Sequence, residues 1–285
     1  MNNYFGQMKK IAIVVFIVLN IGCTQKREPD GSIAVDDSIT NNTPILSFFV
    51  QNSFPHDSSL FTEGLFIKDG LMYESTGAPV EFPDTRSEIG LIDLKTGKFS
   101  PKIEIDRKIY FGEGIAMLNN KLYQLTYKNQ QGFIYDAKSY QRLRDFKYAN
   151  AEGWGLTTDG KSLIMSDGTA NLTWIDPNTL KPLKTLQVTE RGVALSQINE
   201  LEYAHDLIYA NVWQTNYIVQ IDPKNGQVLG KMDLSSVVAE QLKDNPDAQE
   251  LNGIAFDTDK HKFYITGKMW SKVYELDFPG LKAKD

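Results

Sequence analysis

The chain has 285 residues, 41% hydrophobic and 23% charged, a balance that suits a globular protein and excludes a wholly disordered one. Its 30 Lys and Arg stand against 36 Asp and Glu, a net charge of −6, which argues against a nucleic-acid partner because phosphate backbones need a concentrated basic surface. A single cysteine excludes a disulfide framework, and His56, His205 and His261 are too scattered for a local metal motif.

Lys9 and Lys10 precede an unbroken apolar run, Ile11 to Leu19. Nine residues match a signal-peptide core and are too few to cross a bilayer as a helix. The run ends at Ile21-Gly22-Cys23, which resembles a bacterial lipobox, with Asn20 where the usual leucine stands and Leu19 one place early. The expectation is a signal peptide over residues 1–22, lipidation of Cys23, and a membrane-anchored protein exported to the periplasm or cell surface. Ordinary secretion or an uncleaved anchor are the alternatives. Residues 23–44 hold few apolar side chains beyond Ile33, Val35 and Ile39, and read as a solvated tether.

From Ile45 onward no long stretch has helical periodicity. Short runs of Val, Ile, Tyr, Phe and Thr alternate with Gly, Asp and Asn turns, the pattern of many short strands. One register, small or acidic residue–Gly–aliphatic, recurs at Glu63, Glu113, Trp154, Asn199 and Asn252, with spacings of 50, 41, 45 and 53. The fourth copy is imperfect, since Glu200 stands in the glycine's place. A second register opens turns at Asp93, Asp136, Asp176 and Asp222, spaced 43, 40 and 46. Within one period the order is strand 114–118, strand 121–127, strand 132–136 and strand 142–148. Four antiparallel strands per period of this length make a propeller blade. The expected fold is therefore all-β, a five-bladed β-propeller over residues 45–285. The last period supplies three strands, 253–256, 263–268 and 273–278. A spare strand, 45–51, is expected to complete that blade and close the ring. A closed ring makes a monomer the default.

The register also locates a site. The start of a blade's first strand and the end of its second lie at one end of the molecule. Glu63, Glu113, Trp154, Asn199 and Asn252 should meet there with Ser75/Thr76, Tyr127, Ser166/Asp167, Trp213 and Lys268. Carboxylates, an ammonium, amides and aromatic walls at one mouth suit a small-molecule pocket able to move protons. On the residues alone, three other readings stay open. They are a non-catalytic peptide- or glycan-binding propeller, a calcium-dependent hydrolase of the lactonase kind built on Glu63, Glu113, Asn199 and Asn252, and a scaffold presenting loops.

The segments FTEGL (61–65), YESTG (73–77), FGEGIA (111–116), LYQLTY (122–127), EGWGLTTDG (152–160) and LIMSDGT (163–169) lie in order along the chain. They continue with NELEY (199–203), YANVWQTN (209–216), LNGIAF (251–256) and TGK (266–268). Together they resemble the metal-free, five-bladed glutaminyl-peptide cyclotransferases of plants and bacteria. The resemblance implies attack of an N-terminal glutamine's α-amine on its own side-chain carboxamide, giving pyroglutamate and ammonia without metal or cofactor. It implies Glu113 as proton shuttle, Asn199 as the amide that orients substrate and oxyanion, and Lys268 as the charge facing the oxyanion. Trp154 and Trp213 match the aromatic walls, and Phe61 belongs with the substrate-binding set. Glu63 stands where the family has a substrate-binding glutamine, and Tyr127 where many members have tryptophan.

Overall fold

The structure, a computed structural model, describes residues 42–278. The signal segment, Cys23 and the tether as far as residue 41 lie outside the described residues. Strand β1 (Phe49–Pro55) comes first. Blade 1 is β2 (Thr62–Lys68), β3 (Leu71–Thr76), β4 (Glu88–Asp93) and β5 (Lys98–Glu104). Blade 2 is β6 (Gly112–Leu118), β7 (Lys121–Thr126), β8 (Gln131–Asp136) and β9 (Arg142–Lys147). Blade 3 is β10 (Leu156–Thr158), β11 (Leu163–Ser166), β12 (Asn171–Ile175) and β13 (Pro182–Gln187). A small hairpin, β14 (Thr189–Glu190) and β15 (Val193–Ala194), leads to blade 4, which is β16 (Ile198–Ala204), β17 (Leu207–Val212), β18 (Tyr217–Ile221) and β19 (Val228–Asp233). Helix α1 (Ser235–Asp244) leads to β20 (Leu251–Asp257), β21 (Lys262–Gly267) and β22 (Lys272–Asp277), which form blade 5 with β1 as its outermost strand.

Burial falls from the channel outward. Every residue of β20 is buried, whereas β9 and β13 are almost wholly exposed. Apolar side chains fill the clefts between blades in five clusters, for instance Ala116, Tyr123 and Leu125 of blade 2 against Leu163 and Met165 of blade 3. Another joins Ala255, Tyr264 and Val273 of blade 5 to Leu65 and Met72 of blade 1. The repeated aspartates build one turn four times. Asp93, Asp136, Asp176 and Asp222 each accept the N–H two residues on through Oδ1. Such a side-chain cap holds the hairpin between the third and fourth strands.

The glycine register has a steric cause. A Cβ on Gly114 would run into the backbone of Trp154 and Leu156, and one on Gly155 into the backbone of Asn199 and Glu200. Inner strands approach too closely there for a side chain. Glu200 breaks the pattern because its side chain crosses between blades, accepting the N–H of Leu65 at 3.2 Å and of Ile254 at 2.8 Å. It thereby ties blade 4 to blades 1 and 5. Burial, helped by Glu202, holds its carboxyl well above the usual range.

Two expectations need correction. The spare strand lies at Phe49–Pro55 rather than 45–51 and pairs antiparallel with β22. Residues 44–46 run instead along β19, with Leu46 N–H bonding Lys231 O and Leu46 lying over Gly230. The strand runs on through the polar Asn52 and Ser53, because an exposed outer strand needs no apolar face. The helix α1 was not expected. Only Val237 and Gln241 are buried along its ten residues, too short an apolar stripe to give a periodic signal.

Candidate active site

Phe61, Glu63, Phe111, Glu113, Tyr127, Trp154, Asn199, Trp213 and Lys268 line one pocket of about 220 Å³, together with Pro79. The strand starts supply Glu63, Glu113 and Asn199 from blades 1, 2 and 4, and the residue just past β21 supplies Lys268 from blade 5. Their chemistry converges because each inner strand delivers the same register position to the same end.

Lys268 is buried, and its Nζ lies 2.8 Å from Glu63 Oε1 and 4.7 Å from the centre of the Phe61 ring. Glu63 Oε2 accepts the Asn252 amide at 3.1 Å, and that amide also bonds Thr62 O at 3.0 Å. Burial pushes Glu63 up to about 7 despite the opposing pull of Lys268. Glu113 is held well above its ordinary value, first by burial and then by the Glu63 charge, with Lys268 working against both. For Lys268, burial alone acts downward, but the adjacent carboxylates of Glu63 and Glu113 outweigh it and raise the ammonium's pKa. A carboxyl that burial keeps in its protonated form, close to a persistent cation, is suited to proton transfer.

Asn199 Oδ1 is buried without a protein partner. Leaving such an atom unpaired costs about 1–3 kcal/mol, a penalty that a bound substrate donor would relieve. Backbone positions at the site are held from the neighbouring blade. Ser75 Oγ donates to Glu113 O at 2.6 Å, and Ser166 Oγ donates to Asn199 O at 2.6 Å. The aromatic wall is continuous, with ring centres 6.2 Å apart for Phe61–Phe111, 5.9 Å for Phe111–Tyr127, 6.5 Å for Tyr127–Trp154 and 5.5 Å for Trp154–Trp213. Glu152 Oε2 fixes the Trp154 indole by accepting its Nε1–H at 2.9 Å.

Several rim expectations change. Ser75 and Ser166 turn into the next blade, Thr76 bonds Arg86 O, and Asp167 caps its own loop at Thr169, so none of the four lines the pocket. Asn252 lies behind Glu63 rather than on the pocket wall. Phe111 was missed, although it stands two residues before Glu113 as Phe61 does before Glu63. Pro79 left no signal, since the extra length of its loop has no counterpart in the other periods. Among the described residues no group of three or more His, Cys, Asp and Glu is arranged to hold a metal. Of the four ligands drawn for calcium, Glu63 already has both oxygens engaged, by Lys268 and by Asn252.

Fold and pocket together define a class: a five-bladed propeller whose aromatic-walled mouth sets a carboxyl, an amide and an ammonium around one small cavity. The family profile described as glutamine cyclotransferase matches residues 17–278. Glutaminyl-peptide cyclotransferase of Arabidopsis thaliana is 39% identical over 233 residues, 81% of this chain and 71% of that protein. The crystal structure of Myxococcus xanthus glutaminyl cyclase superposes with a TM-score of 0.73 at 32% identity, covering 82% of this chain and 97% of the other. The chain belongs to the glutamine cyclotransferase family.

Proposed function

We propose that the protein cyclises the N-terminal glutamine of peptides and proteins to pyroglutamate, with Glu113 as the proton shuttle, Asn199 and Lys268 facing the oxyanion, and the aromatic wall enclosing the glutamine side chain. One observation carries this reading. Glu113, Asn199 and Lys268 come from three different blades and line a single pocket large enough for one folded side chain.

The peptide α-amine, with a pKa near 7.7–8.0, offers a neutral fraction at working pH. It attacks the side-chain carbonyl carbon, and the C–N bond forms as charge builds on the carbonyl oxygen. The Lys268 ammonium and the Asn199 amide stabilise that charge. Glu113, whose burial favours the protonated form, gives its proton to the departing NH2 and takes one from the attacking nitrogen, so ammonia leaves and the enzyme's proton count is unchanged. Phe61, Tyr127, Trp154 and Trp213 hold the compact conformer and exclude water from the carbonyl. Glu63 anchors Lys268 through one N–H, leaving the ammonium's other two donors for the pocket.

Ammonia release from a Gln-initiated dipeptide, measured with and without EDTA, tests the reading. Turnover that survives the chelator is the expected result. Activity lost to EDTA would favour the calcium-dependent hydrolase, and no turnover would favour a binding protein.

The basic pair, apolar run and Gly22-Cys23 support export and anchoring through lipid on Cys23. Cys23→Ser is expected to move the protein from the membrane fraction to the soluble fraction on cell fractionation. Retention in the membrane would sink the anchor.

A further inference from the structure

The connection between a blade's second and third strands opens at the pocket end. In blades 2 to 5 it is four residues long: 127–130, 167–170, 213–216 and 268–271. In blade 1 it runs over 77–87, eleven residues. A blade evidently makes this turn with four, so the additional length serves something other than the blade. Long connections without secondary structure cost ordering entropy and concentrate at binding sites.

The loop is clamped. The Arg107 guanidinium donates to the carbonyls of Pro79 at 3.4 Å, Pro83 at 2.6 Å and Thr85. Phe82 N–H bonds Pro79 O at 3.2 Å, and Thr85 N–H bonds Phe82 O at 3.1 Å. Held this way, Pro79 forms part of the pocket wall and Phe82 rests on Phe61 with ring centres 5.9 Å apart. Val80, next to that wall, is 88% exposed. Ile109, on the same connector as Arg107, is 58% exposed. Single exposed apolar residues are ordinary on a surface. This one stands on a fixed loop, one residue from the pocket. Elsewhere on the rim, Glu152 is committed to the Trp154 indole and pairs with Lys128 at 3.6 Å, so the charges there are satisfied within the protein.

Cyclisation dictates where the rest of a substrate goes. The α-amine and the carboxamide must meet inside, so the glutamine's backbone carbonyl leads out through the mouth and places the second residue on the rim. We propose that loop 77–87 is the subsite for the residue following the N-terminal glutamine, with Val80 as its main contact and Pro79 and Phe82 beside it. The substrate class favoured is then N-terminal glutamine followed by a branched or aromatic apolar residue. This rests on the cyclase reading above.

The test is kcat/KM for ammonia release from Gln-Leu, Gln-Gly, Gln-Glu and Gln-Lys amides, with the wild-type protein and with Val80→Ser and Val80→Asp. Half-burying a branched side chain should favour Gln-Leu over Gln-Gly by about fivefold to tenfold. Val80→Ser is expected to lower that ratio by roughly threefold. Val80→Asp should lower it further and raise the ratio of Gln-Lys to Gln-Glu. Turnover with no second-residue preference, or ratios unchanged in both variants, overturns the subsite and leaves the cyclase standing. Absence of turnover on every Gln amide overturns both.

Discussion

Glu113→Gln is expected to lower kcat on a Gln dipeptide by at least ~10²-fold, the usual scale of a general acid–base contribution, while KM changes little. Glutamine matches the neutral acid in shape and can still hydrogen-bond the substrate, but it can neither give a proton to the departing NH2 nor take one from the amine. The fold should tolerate the change, because burial and Glu63 already disfavour the charged form of Glu113. The pH dependence gives a second readout. A carboxyl whose folded pKa is raised contributes stability below its unfolded value near 4.5, and that contribution is lost as pH rises through the folded value. Removing the group removes the loss, so the variant's Tm should equal or exceed the wild type's at alkaline pH. Turnover within about threefold of wild type would show that Glu113 is not the shuttle, since a true general acid–base group contributes far more.

The propeller was legible because its period is enforced twice by physics. Inner strands need a residue without a Cβ where blades crowd together, as at Gly114 and Gly155, and each third-to-fourth-strand hairpin needs an Asp to cap it. Both needs leave fixed residue types at fixed intervals. The site followed from the same register, since equivalent positions share one mouth, and four of the five, Glu63, Glu113, Trp154 and Asn199, line the pocket. What stayed hidden depends on contacts between blades or on exposed backbone. The line Asn252–Glu63–Lys268 joins blades 5 and 1 across nearly the whole chain, and no local pattern records it. Glu200 was visible only as a flaw in the fourth repeat. Its reason, a carboxyl reaching two backbone N–H groups on other blades, needs coordinates. Strand β1 escaped its true bounds because solvent faces most of it, and hydrophobic alternation reports burial rather than pairing. Loop 77–87 carries no repeat signal, because the other four blades make the same connection in four residues.

Lys268→Met should separate chemistry from structure most cleanly. Activity is expected to fall by about 10²–10³-fold, the range found when a donor to an oxyanion is removed. Stability should fall as well, because Lys268 is the cation paired with Glu63 at 2.8 Å, and losing one partner of a buried pair costs about 3–5 kcal/mol when the other stays charged. Glu63 has a way out, since it can take a proton. Its pKa, already about 7 with the lysine present, must rise further without it. A raised carboxyl stabilises the fold at low pH and withdraws that support as pH climbs through its folded value. The variant should therefore unfold close to the wild-type temperature near pH 5 and well below it near pH 8. Adding Glu63→Gln removes the stranded charge while keeping an acceptor for the Asn252 amide. The double variant should regain its Tm at pH 8 and yet stay catalytically crippled. Recovery of both properties would make Lys268 a counter-ion for Glu63 and nothing more. Recovery of stability alone places the ammonium in the reaction, where its two free donors meet the charge that forms on the carboxamide oxygen.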